Sequence, residues 1–320
     1  MLKEGLRMTT RTKQTHRAGT LSRACGSIVK DRHLWLMILP VLLFYGIFMY
    51  APMFGLQIAF KQYRPGAGVW GSAWIGLKHF RSFFGSYYFE RLIRNTLLLN
   101  VYDILFGFPA PIILALLLNE VRSNKYKRVV QTITYLPHFI SIVVLCGMIV
   151  DFLSLRGWVN SLISAFGAQP VFFLEEAGSF RTIYVASGIW QEVGWGSIIY
   201  LSALSSVDAE LYEAASIDGA GRWKKLWHIT LPGILSTIII MLLLRLGRIM
   251  SVGAEKILLL YSPATYETAD VISSFVYRKG LLEADYSYAS AVGMFNSLIN
   301  FTFLLIVNRV SKRSSGVALW

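Results

Sequence analysis

Long apolar segments are the feature of this 320-residue sequence that most restricts its fold. A helix needs about 20 mostly apolar residues to cross the roughly 30 Å hydrocarbon layer of a membrane. Six segments meet that length, at residues 34–60, 96–119, 129–153, 182–205, 231–254 and 289–308. Because lipid offers no partner to an unpaired backbone group, each segment must close its own hydrogen bonds. The sequence predicts an all-α membrane protein with six transmembrane helices.

The overall composition agrees with a lipid-facing protein. Hydrophobic residues make up 55% of the chain and charged residues only 15%, which is too little charge for a soluble protein of this length. The net charge of +13 would also suit nucleic acid, but the basic residues lie in short runs between the apolar segments. We therefore expect no nucleic-acid partner.

The distribution of Lys and Arg predicts the orientation. With the N-terminus inside, the inner segments hold 18 of these residues and the outer segments 11, so both termini are expected in the cytoplasm. The first apolar segment is long enough to span and lacks a small-residue cleavage pattern, so we expect it to be retained. The predicted organisation is a basic arm (1–33), a six-helix domain (34–310) and a short tail (311–320).

The cytoplasmic loop at residues 206–230 is more ordered in its pattern than a simple connector. Val207, Leu211, Ala214 and Ala215 fall on one face of a short predicted helix. Gly219 provides the backbone freedom to end that helix and reverse the chain. A second short helix would carry Trp223, Leu226 and Trp227 along the membrane interface, and Pro232 would lie in the first turn of the fifth span.

This loop resembles the signature of permease subunits of binding-protein-dependent ABC importers. That signature is EAA, three residues, Gly, nine residues and I-x-L-P, and residues 213–232 match it at every specified position. The resemblance implies the type I importer permease fold in a bacterial inner membrane. It also implies that Glu213, Ala214, Ala215, Asp218 and Gly219 dock on an ATPase subunit. Ala209 departs from the pattern, since many relatives have Pro there. The alternative interpretation is an interfacial connector without a coupling role.

The same resemblance implies the partners and the mechanism. A second homologous permease, two ATPase subunits and an extracytoplasmic solute-binding protein would complete the transporter, which would work by alternating access. The chain has no G-x-x-x-x-G-K-[ST] loop to hold ATP phosphates. We therefore expect no enzymatic activity and no cofactor in this subunit, with ATP and Mg bound by the partner ATPase.

The stretches SGIWQEVGWGSIIYLSAL and EKILLLYSPATYETADVISSFVYRKG resemble carbohydrate-uptake permeases of the oligo- and polysaccharide subgroup. The expected cargo is a saccharide, with an acidic one such as alginate as a narrower possibility. Trp190 and Trp195 are candidates for stacking on sugar rings, with Gln191 as a hydrogen-bond partner, although buried Trp in a bundle can equally serve packing. Asn296 and Asn300 would face the same cavity or bridge helices.

Ionisable residues within the membrane usually face a cavity or an opposite charge. Arg245 and Arg248 are three residues apart, which places them on one face of the predicted fifth helix. Glu192 is predicted at a depth similar to that of Arg245, so the two form a candidate ion pair. Arg248 would then remain free to attract the carboxylates of an acidic saccharide. Asp103 and Asp151 would repel such a cargo, so we expect them away from the path.

Two other functions, a secondary transporter and a membrane-embedded enzyme, fit the sequence less well. A secondary transporter would need ion-coupling acids near the midplane and usually more spans or an internal repeat, and it would not need the cytoplasmic loop. A membrane-embedded enzyme would need catalytic groups that converge at one depth, and the sequence offers no such set.

Overall fold

A computed structural model describes residues 32–316, 318 and 319 of the chain. Nearly all of the predicted basic arm (1–33) lies outside the described residues. The chain divides at Gly55 into two compact units, the second of which starts at Leu56.

The described part of the first unit is a single apolar helical segment. An α-helix, α1 (Arg32–Phe44), is followed by a π-helical stretch (Tyr45–Tyr50) and then by a 3₁₀ stretch that starts at Ala51. Pro40 lies within α1. The large apolar side chains of this first segment are exposed along its whole length, which is typical of a helix that faces lipid or another helix on every side.

The second unit is almost entirely helical. After the 3₁₀ stretch Ala51–Phe60, a short antiparallel hairpin pairs β1 (Lys61–Gln62) with β2 (Ala73–Trp74). The helices of this unit are α2 (Gly68–Gly71), α3 (Lys78–Phe84), α4 (Tyr88–Tyr102), α5 (Pro109–Glu120), α6 (Asn124–Tyr135), α7 (Ile142–Leu153), α8 (Trp158–Ala165), α9 (Ala177–Ser205), α10 (Ala209–Ile217), α11 (Arg222–Lys225), α12 (Leu231–Leu246), α13 (Ala254–Leu260), α14 (Tyr266–Ala269), α15 (Ile272–Tyr277) and α16 (Tyr286–Ser315).

Within the described residues, five helical segments are long and apolar enough to cross a membrane. They are Arg32–Phe60, Tyr88–Glu120, Ile142–Ala165, Arg222–Leu246 and Tyr286–Arg313. The predicted span at 182–205 lies within α9, which is 29 residues long but is not among the five. Its polar and small residues lower its hydropathy, and several of them face the cavities described below. The count of six spans therefore stays a prediction.

Two predicted spans differ from the structure in their boundaries. The segment at 129–153 is not one helix, because α6 and α7 are separated by a 3₁₀ turn (Leu136–Phe139) and two extended residues. Pro137 has no N–H to continue the helix, and the Ser141 side chain caps α7 by accepting from the Val144 N–H at 3.4 Å. The fifth predicted span, 231–254, ends as a helix at Leu246, and a turn follows.

Three apolar clusters hold the second unit together. The first joins α4, α7 and α9 to residues 252–271, the second joins α3, α4, α15 and α16, and the third joins α5, α9 and α12. Among their largest buried members are Leu99, Leu145, Phe180, Phe83, Phe275 and Ile234. The helix α9 contributes to two of the three clusters, so it connects the helices that pack in the first cluster to those that pack in the third.

The buried carboxylate of Asp270 joins separate parts of the second unit. Asp270 has no exposed surface, and its oxygens accept from Arg91 at 3.0 Å, from Arg278 at 2.8 Å and from the Ser274 hydroxyl at 2.9 Å. Burial by itself lowers the pKa of Arg278, but the hydrogen bond and charge of Asp270 outweigh that effect and raise it overall. The contacts of Asp270 join α4 to α15 and to the residue after it.

Asn95 extends this network to a third element. Its amide donates to the carbonyl of Glu267 at 2.9 Å and to that of Asp270 at 3.0 Å. Its carbonyl oxygen accepts from Arg181 at 3.0 Å, which links α9 to α4. The network therefore connects α4, α9 and residues 267–278 by hydrogen bonds. Buried polar groups require such partners, since water does not reach them.

The helices α6 and α9 cross at a glycine. A Cβ placed on Gly194 would overlap the backbone of Thr134 and Tyr135, so no larger residue allows this approach. Close backbone contact through small residues is a common way for membrane helices to pack. The crossing also brings the 3₁₀ turn after α6 beside α9.

We expect Asp270→Asn to destabilise the protein by roughly 3–5 kcal/mol, because it leaves buried guanidinium groups without a counter-charge. The measurement is the melting temperature of the protein purified in detergent. Asp151→Asn is the matched control, since Asp151 is exposed. Equal melting temperatures for the two variants would show that the network contributes no stability.

Gly194→Ala is expected to cost roughly 1–3 kcal/mol, because the added methyl group must push two backbones apart. Gly147→Ala adds the same atom in α7, where nothing lies within 4 Å of the new Cβ, and should leave the melting temperature unchanged. Similar behaviour of the two variants would contradict the close crossing.

Candidate functional site

Two adjoining cavities lie among α4, α5, α9, α12 and the segment that follows α12. Their volumes are about 380 Å³ and about 480 Å³. The walls of both include Asn100, Asp103, Pro111, Gly196, Arg245 and Ser251. The two cavities therefore lie side by side and share a wall that contains several polar side chains.

An ion pair marks the junction of the cavities. The Arg245 side chain, from the last turn of α12, donates from Nε to the Asp103 carboxylate at 2.8 Å and also from its terminal nitrogen. Both side chains are about one third exposed, so the pair faces the cavities rather than the apolar core. We expected Asp103 away from the path, and that prediction is wrong. Its charge is compensated by Arg245, which removes the repulsion on which the expectation was based.

Local sequence explains why Asp103 reaches this position. A π-helical stretch, Asp103–Gly107, separates α4 from α5, and the Phe108 N–H donates to the Asp103 carbonyl at 2.9 Å. Pro109 follows directly and cannot donate a helical hydrogen bond, which favours such an irregular turn. At Gly107 a Cβ would lie 2.5 Å from the Asp103 carboxylate, so the glycine leaves room for the ion pair.

The predicted Glu192–Arg245 ion pair is replaced by another. Glu192 lies on the wall of the first cavity, but its carboxylate contacts the His138 ring nitrogen Nδ1 at 3.1 Å. The His138 ring stacks on Trp195, with 4.5 Å between ring centroids and 2° between planes. The reason is the close crossing at Gly194, which places the turn after α6 beside α9. A distance along the sequence could not show that neighbour.

Arg248 does not share a helical face with Arg245, because α12 ends at Leu246 and Arg248 lies in the following turn. It lines the second cavity and is exposed. Among the described residues its side chain forms no ion pair or hydrogen bond. The sequence prediction of a free arginine near the path therefore agrees with this geometry, although the helix carrying it ends earlier.

Asn300 has a structural position in this turn. Its side-chain oxygen accepts from the Met250 N–H at 2.8 Å, and its amide donates to the Ser251 hydroxyl at 2.9 Å. It thus bridges α16 to the chain that leaves α12 and satisfies a backbone group there. Asn296, one turn earlier, lines neither cavity, and its buried side-chain oxygen has no hydrogen-bond partner in the described part of the chain.

The aromatic candidates are also outside the cavity walls. Trp190 and Trp195 are 43% and 45% exposed and line neither cavity. Gln191 does line the first cavity, and its amide donates to the Ile140 carbonyl at 3.3 Å, in the break before α7. The structure therefore brings together Gln191, Glu192, Arg245 and Arg248 and leaves the two tryptophans and two asparagines apart.

Sequence reasoning missed Lys256. It lies in α13, lines the first cavity and is only 7% exposed. Its ammonium donates to the Tyr184 carbonyl at 2.8 Å. A signal was available, since a lysine within the apolar run KILLL is unusual for a solvated loop. Within the described residues, no group of three or more His, Cys, Asp or Glu side chains is placed to hold a metal ion.

The importer signature at residues 213–232 forms two short helical elements joined by a turn. The helix α10 begins at Ala209, where the Asp208 side chain accepts from the Glu210 N–H at 2.9 Å, and ends at Ile217. Gly219 follows with φ +72°, a left-handed conformation that favours glycine. Of the predicted docking residues, all but the half-buried Ala215 are exposed; they are Glu213, Ala214, Asp218 and Gly219.

Hydrogen bonds join this loop to the residues that lead into α12. The Tyr212 hydroxyl donates to the Thr230 hydroxyl at 3.0 Å, and the Lys225 ammonium donates to the Ser216 hydroxyl at 2.6 Å. Thr230 is buried and ends a π-helical stretch (Leu226–Thr230) that continues into α12. One helical path therefore runs from α11 to Arg245.

Comparison with known proteins identifies the family. Residues 107–316 match the family described as binding-protein-dependent transport system inner membrane component. Protein LplB of Bacillus subtilis is 44% identical over 288 residues, which cover 90% of this chain and 91% of that protein. The polygalacturonan/rhamnogalacturonan transport system permease protein YteP of the same organism is 42% identical, with 89% of each chain covered.

Solved structures give the same result. A chain of a bacterial ABC transporter involved in the import of the acidic polysaccharide alginate is 49% identical with a TM-score of 0.86, covering 92% of this chain and 99% of that one. A chain of an alginate ABC transporter in complex with an alginate pentasaccharide-bound periplasmic protein is 47% identical with a TM-score of 0.87, and the match covers 93% of this chain and 100% of that one. The alternative of a secondary transporter is thereby set aside. The chain is an integral membrane protein that belongs to the family of permease subunits of binding-protein-dependent ABC importers.

Proposed function

We propose that this permease forms half of the path for an acidic oligosaccharide in a bacterial inner membrane. The observation that carries the proposal is the cavity wall itself, where the Arg248 guanidinium has no carboxylate partner among the described residues. Cations that line a cavity within an apolar bundle commonly mark a path for a charged or polar solute. The carboxylate of a uronic acid meets that requirement.

The relatives support a saccharide cargo. YteP is named for polygalacturonan and rhamnogalacturonan, and the matched structures belong to importers of alginate, which is also acidic. The cavity walls supply hydrogen-bond groups that suit sugar hydroxyls, such as the side chains of Asn100, Gln191 and Ser251. Charge then selects acidic saccharides from neutral ones, while these polar groups bind features that both share.

The complete importer would contain a second permease, two ATPase subunits and a solute-binding protein outside the membrane. The exposed face of α10 is the docking surface for an ATPase subunit. That partner subunit, rather than this chain, binds and hydrolyses ATP. For the cycle to work, ATP must stabilise the outward-open state more than the inward-open one. The bond from Tyr212 to Thr230 and the helix that continues to Arg245 give α10 a direct physical connection to the cavity.

Arg248→Gln is expected to lower the uptake of an acidic oligosaccharide by about tenfold, since a hydrogen bond to a charged group contributes roughly 1.5–3 kcal/mol. The measurement is uptake of galacturonate trisaccharide, and of its carboxyl-reduced neutral counterpart, by proteoliposomes that contain the complete importer. Arg128→Gln is the control, because Arg128 is exposed in α6 and far along the chain from the cavities. Equal loss of both sugars in the Arg248 variant would exclude recognition by charge.

Glu213→Lys is expected to reduce the ATPase activity stimulated by loaded binding protein by about tenfold or more, because reversing a charge at an interface costs several kcal/mol. Glu120→Lys makes the same charge change at another exposed position on the predicted cytoplasmic side and should retain stimulation. The coupling role would be wrong if the two variants were stimulated equally.

A further inference from the structure

Lys256 is a buried cation that the importer function described above does not use. It lies in α13, which follows α12 in the chain, and its ammonium is 4.7 Å from the centre of the Tyr184 ring. A Cβ placed on Gly188 would lie 3.4 Å from the ammonium nitrogen, so the side chain lies closely over α9. Yet the residue lines the first cavity, where a ligand can reach it.

The hydrogen-bonding capacity of this ammonium is only partly used. An ammonium group has three donors, and one of them is occupied by the Tyr184 carbonyl at 2.8 Å. Lys256 forms no ion pair with any residue that the structure describes. Burial lowers its pKa to about 8, which still leaves most of the group protonated at neutral pH. Asp103 and Glu192 act on it electrostatically, but neither carboxylate is in contact with it. A buried ammonium without a contacting counter-charge is costly, so the site favours an anion.

The two cations without partners lie on different walls. Lys256 lines only the first cavity, Arg248 lines only the second, and the Asp103–Arg245 pair lines both. A ligand that occupies both adjoining cavities therefore passes the Asp103–Arg245 pair and meets one cation without an ion-pair partner on each side of it. A chain of uronic acids carries one carboxylate on every sugar, and this repeated charge matches two separated cations better than a single acidic group does.

The charges that face this wall are mixed. Glu192 lines the first cavity as well, and it is the acid that would oppose a carboxylate there. Its contact with His138 at 3.1 Å reduces that opposition whenever the imidazole is protonated. Asp103 is compensated by Arg245. The free cation on the wall of the first cavity is therefore Lys256, among the residues described.

We propose that Lys256 is a second carboxylate-binding position, so that the permease holds an oligosaccharide by two acidic sugars at once, one at Lys256 and one at Arg248. This inference rests on the proposed function and adds a requirement to it. The preferred cargo carries at least two carboxylates. The competing explanation is a structural one, in which Lys256 only ties α13 to the Tyr184 carbonyl.

The test compares two probes in proteoliposomes that contain the complete importer. One probe is galacturonate trisaccharide with three free carboxylates, and the other is the same trisaccharide with two of them methyl-esterified. The variants are Lys256→Met, which keeps the apolar stem, and Lys256→Arg, which keeps the charge. Lys125→Met is the control, since Lys125 is exposed in α6. The readout is the ratio of uptake of the three-carboxylate probe to uptake of the one-carboxylate probe.

We expect Lys256→Met to lower this ratio by about tenfold, which corresponds to the loss of one charged hydrogen bond. Lys256→Arg should restore most of it, and Lys125→Met should match the unmodified protein. A structural tie would reduce uptake of both probes equally and leave the ratio unchanged, which would overturn the inference. If Lys256→Met fails to accumulate in the membrane, Lys256→Gln takes its place, because it keeps a donor for the Tyr184 carbonyl without the charge, and an unchanged ratio in that variant overturns the inference.

Failure of the proposed function gives a different result. If the unmodified importer takes up neither probe and no alginate trisaccharide either, the cargo is not an acidic saccharide and both proposals fail together. If it takes up both probes and the Arg248 variant discriminates against acidic sugar as expected, an unchanged ratio in Lys256→Met overturns only the second carboxylate position.

Discussion

A charge removed from water must find an opposite charge, and this constraint organises the helices around the cavities. Asp270 is held by Arg91 and Arg278, and through Asn95 its network reaches Arg181. The pair formed by Asp103 and Arg245 joins the irregular stretch after α4 to the end of α12. Both carboxylates therefore connect elements that are far apart in the chain, and they do so where apolar packing alone would leave the order of the helices less restricted.

The same constraint gives the cavities their character. Where a charge has a protein partner, as at Asp103 and Glu192, it acts as part of the wall. Where it has none among the described residues, as at Arg248 and Lys256, we propose that it binds a charge of the ligand. The distinction depends on pairing rather than on residue type, because all four are ionisable residues close to the adjoining cavities. Selectivity for an acidic cargo would thus follow from which charges the fold leaves unpaired.

Much of the fold was predictable because it follows from local rules. Segments near 20 apolar residues gave the helices, and the position of Gly219 gave the end of α10, which the structure places at Ile217. The spans with irregular ends were harder to predict. Pro137 breaks the third segment, and α12 stops before Arg248, where Asn300 satisfies the turn. Apolar content does not record such interruptions, since lipid-facing and turn residues can be equally hydrophobic.

The helical membrane fold and the importer signature at residues 213–232 could be read from the sequence, because apolar length and motif spacing are properties of the chain alone. Only the tertiary structure decided which charges meet. It paired Arg245 with Asp103 and Glu192 with His138, and it placed Lys256 at the cavity. The physical reason is that ion pairing falls steeply with distance, so it depends on contacts between helices that no spacing within one helix can report.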